Sequence, residues 1–120
     1  MLNSVKEILI VDDEVDFRLL LAEVLVEQGY RVTTAHNGHE ALRHLELSGK
    51  SPDLITIDVN MPLTDGIELQ EKISKMNPCI PLVMISGSLP KHLSLITGVC
   101  AYLLKPLNKM ELLLLLKKII

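Results

Sequence analysis

The chain has no tryptophan and little else that is aromatic: Phe17, Tyr30 and Tyr102 are the whole inventory. Its core must therefore be built from Leu, Ile, Val, Met and Ala. Cysteine is scarce too. Cys79 and Cys100 stand far apart, with no C-x-x-C or Cys/His ligand spacing, which argues against a disulfide framework or a zinc site and fits a reducing compartment. His36, His39, His44 and His92 form no H-E-x-x-H pattern and read as surface imidazoles. Positive charge is not in excess: 12 Lys and Arg face 15 Asp and Glu, for a net charge of -3, so no electrostatic case exists for direct nucleic-acid binding. Long apolar runs are missing as well. Ile8-Leu9-Ile10-Val11 is too short for a signal peptide and runs into acids. Leu112 to Leu116 is far below membrane-spanning length and is followed by Lys117 and Lys118. These absences predict a soluble, cytoplasmic chain with no membrane association.

What is present fits one domain. The chain has 120 residues, 48% of them hydrophobic and 22% charged, enough to bury a core but too few for two domains. Glu7 to Val11 is continuously apolar from Ile8 onward, as expected of a strand covered on both faces. Phe17, Leu20, Leu21, Val24 and Leu25 recur at helical spacing, and Gly29 stops that helix. Arg31 to Ala35 reads as an edge strand. Asn37-x-x-Glu40 opens a second helix that runs to Gly49, with Ala41, Leu42 and Leu45 on its inner face.

A third strand, Leu54 to Ile57, ends at Asp58, and Pro62 enforces a turn after Met61. Ile67, Leu69, Ile73 and Met76 mark a third helix, stopped by Asn77-Pro78. Ile80 to Ile85 and Ala101 to Leu104 are the fourth and fifth strands, with a short helix expected over Pro90 to Ile96 between them. Asn108-x-x-Glu111 opens a last helix. Strand and helix alternate five times, which predicts a doubly wound α/β domain over residues 1–120, with a five-stranded parallel sheet and helices on both faces.

The strands share one chemical feature. The first ends in Asp12-Asp13, the third in Asp58, the fourth in Ser86 and the fifth in Lys105, so all these groups reach one rim of the sheet, where α/β folds bind ligands. Two carboxylates about 4 Å apart repel by roughly 4 kcal/mol at an effective dielectric near 20. A bound cation or strongly shifted protonation must resolve such crowding. Oxygen ligands without imidazole or thiolate favour magnesium, manganese or calcium, and an incomplete cage favours magnesium. Acids that merely cap the first helix would account for Asp12 or Glu14, but not for Asp58, Ser86 and Lys105 together.

The segments Ile8-Leu9-Ile10-Val11-Asp12-Asp13-Glu14, Asp58-Val59-Asn60-Met61-Pro62-x-x-Asp65-Gly66, Ile85-Ser86-Gly87 and Tyr102-Leu103-Leu104-Lys105-Pro106 resemble, in order and over essentially the whole chain, the CheY-like receiver domains of two-component response regulators. The resemblance implies the flavodoxin-like sheet order 2-1-3-4-5, an order the general description of this fold already attaches to CheY. It implies that Asp58 is the phosphoacceptor, taking a phosphoryl group from a sensor histidine kinase or phosphotransfer protein. Mg2+ would be held by Asp12, Asp13, Asp58 and the backbone carbonyl of Asn60. Ser86 would hydrogen-bond a phosphoryl oxygen, and Lys105 would pair with the phosphoryl group, with a cis bond before Pro106. Tyr102 would act with Ser86 as a switch. Asn60 and Ser88 would tune hydrolysis of the phosphorylated form.

Two departures stand out. The stretch from Ser86 to Lys105 is a few residues short for this family, which leaves the conformation of Ser88 to Gly98 open. In the last helix, Leu112, Leu113, Leu116, Ile119 and Ile120 supply a core stripe and leave Leu114 and Leu115 exposed, beside the fifth strand and fourth helix. That pair suggests a homodimer or output-domain surface. The abrupt ending at Ile120 suggests a domain excised from a longer regulator or hybrid kinase. A constitutive binding module that keeps the shape without using the pocket is the alternative these departures motivate. A flavodoxin-like nucleotide binder fits poorly, because Asp12-Asp13-Glu14 would repel phosphate where a glycine-rich loop is needed.

Overall fold

The computed structural model describes residues 5–61, 64–88 and 98–120. Five parallel strands form the sheet: β1 (Glu7–Val11), β2 (Arg31–Ala35), β3 (Leu54–Ile57), β6 (Leu82–Ser86) and β7 (Val99–Leu104), in the order β2-β1-β3-β6-β7. Two short strands, β4 (Asn60–Met61) and β5 (Thr64–Asp65), pair antiparallel between β3 and the next helix. The five long strands thus realise the expected 2-1-3-4-5 order, and the small hairpin is an addition that the Met61-Pro62 turn signal did not reveal.

Four helices are described: α1 (Val15–Glu27), α2 (Gly38–Leu47), α3 (Gly66–Met76) and α4 (Lys109–Ile119). The helix expected over Pro90 to Ile96, and most of the segment from Ser88 to Gly98, lie outside the described residues.

The sheet is buried on both faces because alternate strand residues feed two separate cores. Leu9 and Val11 of β1, with Ile55 and Ile57 of β3, pack against Leu69 and Ile73 of α3 and Ala41 of α2. Ile8, Ile10, Leu54, Val83, Ile85 and Leu103 pack on the other face against Leu21 and Leu25 of α1 and Leu112 and Leu116 of α4. A period of two on the strands serves both layers at once, which is why the strands read as unbroken apolar runs.

Caps set the helix boundaries. Asn37 Oδ1 accepts from the Glu40 N–H at 2.8 Å, and Asn108 Oδ1 accepts from the Glu111 N–H at 3.0 Å. Asp65 Oδ1 accepts from the Ile67 N–H at 2.9 Å and starts α3 beside the site. Gly29, at φ 93°, takes the left-handed turn after α1 that other residues resist.

The helix faces differ from the expected ones in three places. Leu20 is exposed, because it lies at the edge of the stripe whose centre is Leu21 and Leu25. Met76, in the last turn of α3, is exposed beyond the sheet. In α4 the roles of two leucines exchange. Leu112, Leu115, Leu116 and Ile119 follow the i, i+3, i+4, i+7 rule, so Leu115 packs on the core and is not a free surface residue. Leu113 is displaced from that stripe and only half-buried, and Leu114 is exposed as expected.

Candidate functional site

The site forms where the sheet ladder continues one bond past its strands. The Asp58 N–H donates to the Val11 carbonyl at 3.0 Å, the Asp12 N–H to the Ala35 carbonyl at 3.1 Å, and the Lys105 N–H to the Ser86 carbonyl at 2.9 Å. Each functional residue is therefore held by a backbone bond to the end of the neighbouring strand. A guanidinium N–H of Arg18 adds a bond to the Asp12 carbonyl at 2.9 Å and pins the turn between β1 and α1. The Lys105–Pro106 peptide is cis, as the resemblance implied.

Lys105 is the centre of the arrangement. Its Nζ lies 2.7 Å from Glu14 Oε1, 3.0 Å from Asp12 Oδ2 and 3.4 Å from Asp58 Oδ2. It also lies 4.3 Å from the centroid of the Phe17 ring. Asp12 and Asp58 are almost fully buried, while the Glu14 side chain is 61% exposed at the pocket mouth.

Burial is the largest influence on the Lys105 ammonium and opposes its charge. The bonds to Glu14 and Asp12 and the charges of Asp12 and Asp58 outweigh it, so the group is held charged above the ordinary lysine range. For Asp58, burial pushes the carboxyl above its ordinary value of 3.8, aided by the Asp12 charge. The Asn60 N–H, which donates to Asp58 Oδ1 at 3.0 Å, and Lys105 pull the other way without cancelling the rise.

That raised value has a stability consequence. A carboxyl that ionises less readily in the folded state destabilises the fold while it is charged. Asp58→Asn is expected to unfold at a higher temperature than the parent at neutral pH. The difference should close as pH falls from the raised native value toward 3.8. Thermal melts across pH check this, and an Asn variant that is less stable at neutral pH contradicts it.

Ser86 is buried, and its Oγ accepts from Asn60 Nδ2 at 3.1 Å, so the side chains following β3 and ending β6 are joined across the pocket. Tyr102 is half-buried beside β6. Its hydroxyl has no hydrogen-bond partner among the described residues, and burial raises its pKa. Cys79 and Cys100 are free and exposed.

Asp12, Glu14 and Asp58 each bring a carboxylate oxygen to within 4.8 Å of the others. Asp13 is half-buried and is not in this group. The chain bends at Asp13, and Glu14, the N-cap of α1, is the neighbour whose carboxylate joins those of Asp12 and Asp58. The Glu14 N–H also donates to Asp12 Oδ1 at 2.9 Å. The run Asp12-Asp13-Glu14 places three acids at this turn without distinguishing which of them meet. A donor set of carboxylate oxygens alone fits a hard divalent cation, and such a cation would relieve the repulsion that Lys105 now offsets.

A sequence description of the response regulator receiver domain matches residues 8–117. The chain belongs to this family. Receiver domains are the switch domains of signalling response regulators. Among its relatives, the alkaline phosphatase synthesis transcriptional regulatory protein PhoP of Bacillus subtilis is 38% identical over 109 residues, covering 88% of this chain and 45% of PhoP. The transcriptional regulatory protein ZraR of Salmonella typhimurium is 34% identical over 111 residues, covering 90% of this chain and 25% of ZraR. The receiver thus spans under half the length of these relatives.

Among solved structures, a CheY-like receiver domain protein from Methanospirillum hungatei superposes with a TM-score of 0.89 at 32% identity, covering 96% of this chain and 93% of that one. Response regulator protein TrrA from Thermotoga maritima, solved in complex with Mg(2+)-BeF, superposes at 0.85 with 34% identity, covering 96% and 99%. No helix among the described residues is long and apolar enough to cross a membrane.

Proposed function

We propose that this receiver accepts a phosphoryl group on Asp58 from a phosphohistidine of a sensor kinase or phosphotransfer protein in the cytoplasm. The observation that carries the reading is the position of Asp58: buried at the end of β3, 3.4 Å from the Lys105 ammonium and joined through Asn60 to Ser86. In the transfer, an Asp58 carboxylate oxygen attacks phosphorus, the phosphorus–nitrogen bond of the donor breaks, and the imidazole leaves with its electron pair and takes up a proton. An acyl phosphate results. Lys105 offsets the negative charge brought together when a carboxylate meets a phosphoryl group. The Ser86 hydroxyl supplies a donor to a phosphoryl oxygen. Bound Mg2+ would supply further positive charge at the transferring oxygens, held by Asp13, Asp58 and the Asn60 carbonyl, with Asp12 sharing the ion or acting through a water. TrrA, a relative of similar length, was solved with Mg(2+)-BeF, which supports that choice of ion.

The change at Asp58 would be read on the face of β7 and α4. There Leu104, Met110 and Leu114 are each more than half exposed, and on β7 Tyr102 stands opposite Met84, two residues before Ser86 on β6. These exposed apolar side chains would serve a second copy, an output domain or a target protein, and switching would go through Ser86 and Tyr102.

Incubation with acetyl phosphate or phosphoramidate and Mg2+, followed by intact mass measurement, tests the reading. One phosphoryl mass should appear on the parent chain and none on Asp58→Ala. No addition to the parent, or addition that persists in the variant, would sink it.

A further inference from the structure

We propose that the first turn of α1 is a resting cradle for the Lys105 ammonium, with Glu14 and Phe17 as positioning residues that set how strongly Lys105 competes with a divalent cation for Asp12 and Asp58. This rests on the reading of the pocket as a cation-assisted phosphoacceptor site and names a control within it.

The contacts come from the start of α1. Glu14 is its N-cap and Phe17 lies in its first turn, and both reach the Lys105 ammonium. Glu14 makes the shortest contact to Nζ, 2.7 Å, although its side chain is the most exposed of the three acids. Asp58, the buried acid, makes the longest at 3.4 Å. The Phe17 ring, from the only phenylalanine in the chain, lies 4.3 Å from the same ammonium, within the range at which a ring face attracts a cation. Lys105 therefore leans toward the pocket mouth instead of sitting squarely between Asp12 and Asp58.

This matters because two cations are attracted to the same oxygens. A divalent ion entering near Asp12 and Asp58 repels the ammonium, which must give way. Glu14 and Phe17 offer it a partner at the mouth, so the displacement costs less and Lys105 stays close enough to return to a phosphoryl group. Without them the ammonium has only the two buried acids to bind, and it holds them against the incoming ion.

The test is Mg2+ affinity by titration calorimetry without any phosphodonor, for Phe17→Leu and Glu14→Gln, each with and without Lys105→Met. Phe17→Leu changes no charge. It should weaken Mg2+ binding about three- to tenfold when Lys105 is present and leave it unchanged in the Lys105→Met background. Phe17→Tyr, which keeps the ring face, should restore the parent affinity. Glu14→Gln removes a negative charge, so it should weaken binding in both backgrounds, by the larger factor when Lys105 is present. Its exposed position keeps the fold intact should Phe17→Leu fail to fold. Equal factors in the two backgrounds, no change, tighter binding, or a parent that does not bind Mg2+ would each overturn the proposal. Failure of the phosphoacceptor reading would show elsewhere, as a missing phosphoryl mass with these affinity ratios intact.

Discussion

Gly66→Ala is expected to cost about 2–4 kcal/mol of stability, one of the largest effects of any single methyl group in this chain. Gly66 is the first residue of α3, and its N–H donates to the Val59 carbonyl at 3.1 Å. A Cβ built there collides with the Asp58 carbonyl oxygen and lies 2.7 Å from Val59 Cα and 3.0 Å from Val59 O. All three neighbours are backbone, so no rotamer change relieves the overlap. Either α3 moves off the sheet, uncovering Leu69 and Ile73, or the backbone carrying Asp58 shifts. Denaturant melts should show the lower midpoint, and phosphorylation of the variant that remains folded should be slowed as well. A variant as stable as the parent would show that the β3–α3 junction is looser than its contacts indicate.

Lys105→Met is the second large effect. The Lys105 side chain is 13% exposed and touches three carboxylates, two of them nearly buried. Truncating one partner of a buried ion pair typically costs about 3–5 kcal/mol, and the exposed Glu14 end brings the expected loss here to about 2–3. Because the native ammonium titrates above the ordinary lysine range, its contribution is fully present below the usual lysine value of 10.5 and is lost only as pH rises through the raised one. The deficit of the variant is therefore present at neutral pH. It should shrink as pH falls and Asp58, already raised, takes up a proton, and it should shrink when Mg2+ replaces the missing charge. Thermal melts at two pH values, with and without Mg2+, read all three effects. A deficit indifferent to pH and Mg2+ would mean that the lysine acts through packing of its stem, not through its charge.

Both predictions depend on strand ends meeting at one rim, and the sequence made that much legible. The apolar runs ending in Asp12, Asp58, Ser86 and Lys105 announced buried parallel strands and their polar termini together. The Asn-x-x-Glu caps at Asn37 and Asn108 announced where helices begin. These signals are local: a strand, a cap or a turn is written within a few residues, and the period of two or of 3.6 declares which face is buried. The doubly wound fold and the meeting of Asp12, Asp58, Ser86 and Lys105 at one rim followed from them, and the receiver family and its sheet order from the resemblance of the ordered motifs.

Relations between elements were decided in three dimensions. Along the chain Asp13 is the nearer neighbour of Asp12, yet it is the Glu14 carboxylate, past the bend at Asp13, that reaches Lys105. Leu113 and Leu115 are equally apolar, and only the rotation at which α4 lies on the sheet gives Leu115 to the core. Phe17 reads as one more core residue until Lys105, 88 positions later, is found above its ring. The sequence by itself determined the doubly wound fold and the chemical identity of the pocket, because hydrophobic period and strand-terminal chemistry are carried by neighbouring residues. Which acid reaches the lysine, and what holds the lysine in place, was decided by the tertiary structure alone, because those contacts depend on backbone direction at a turn and on packing between distant segments.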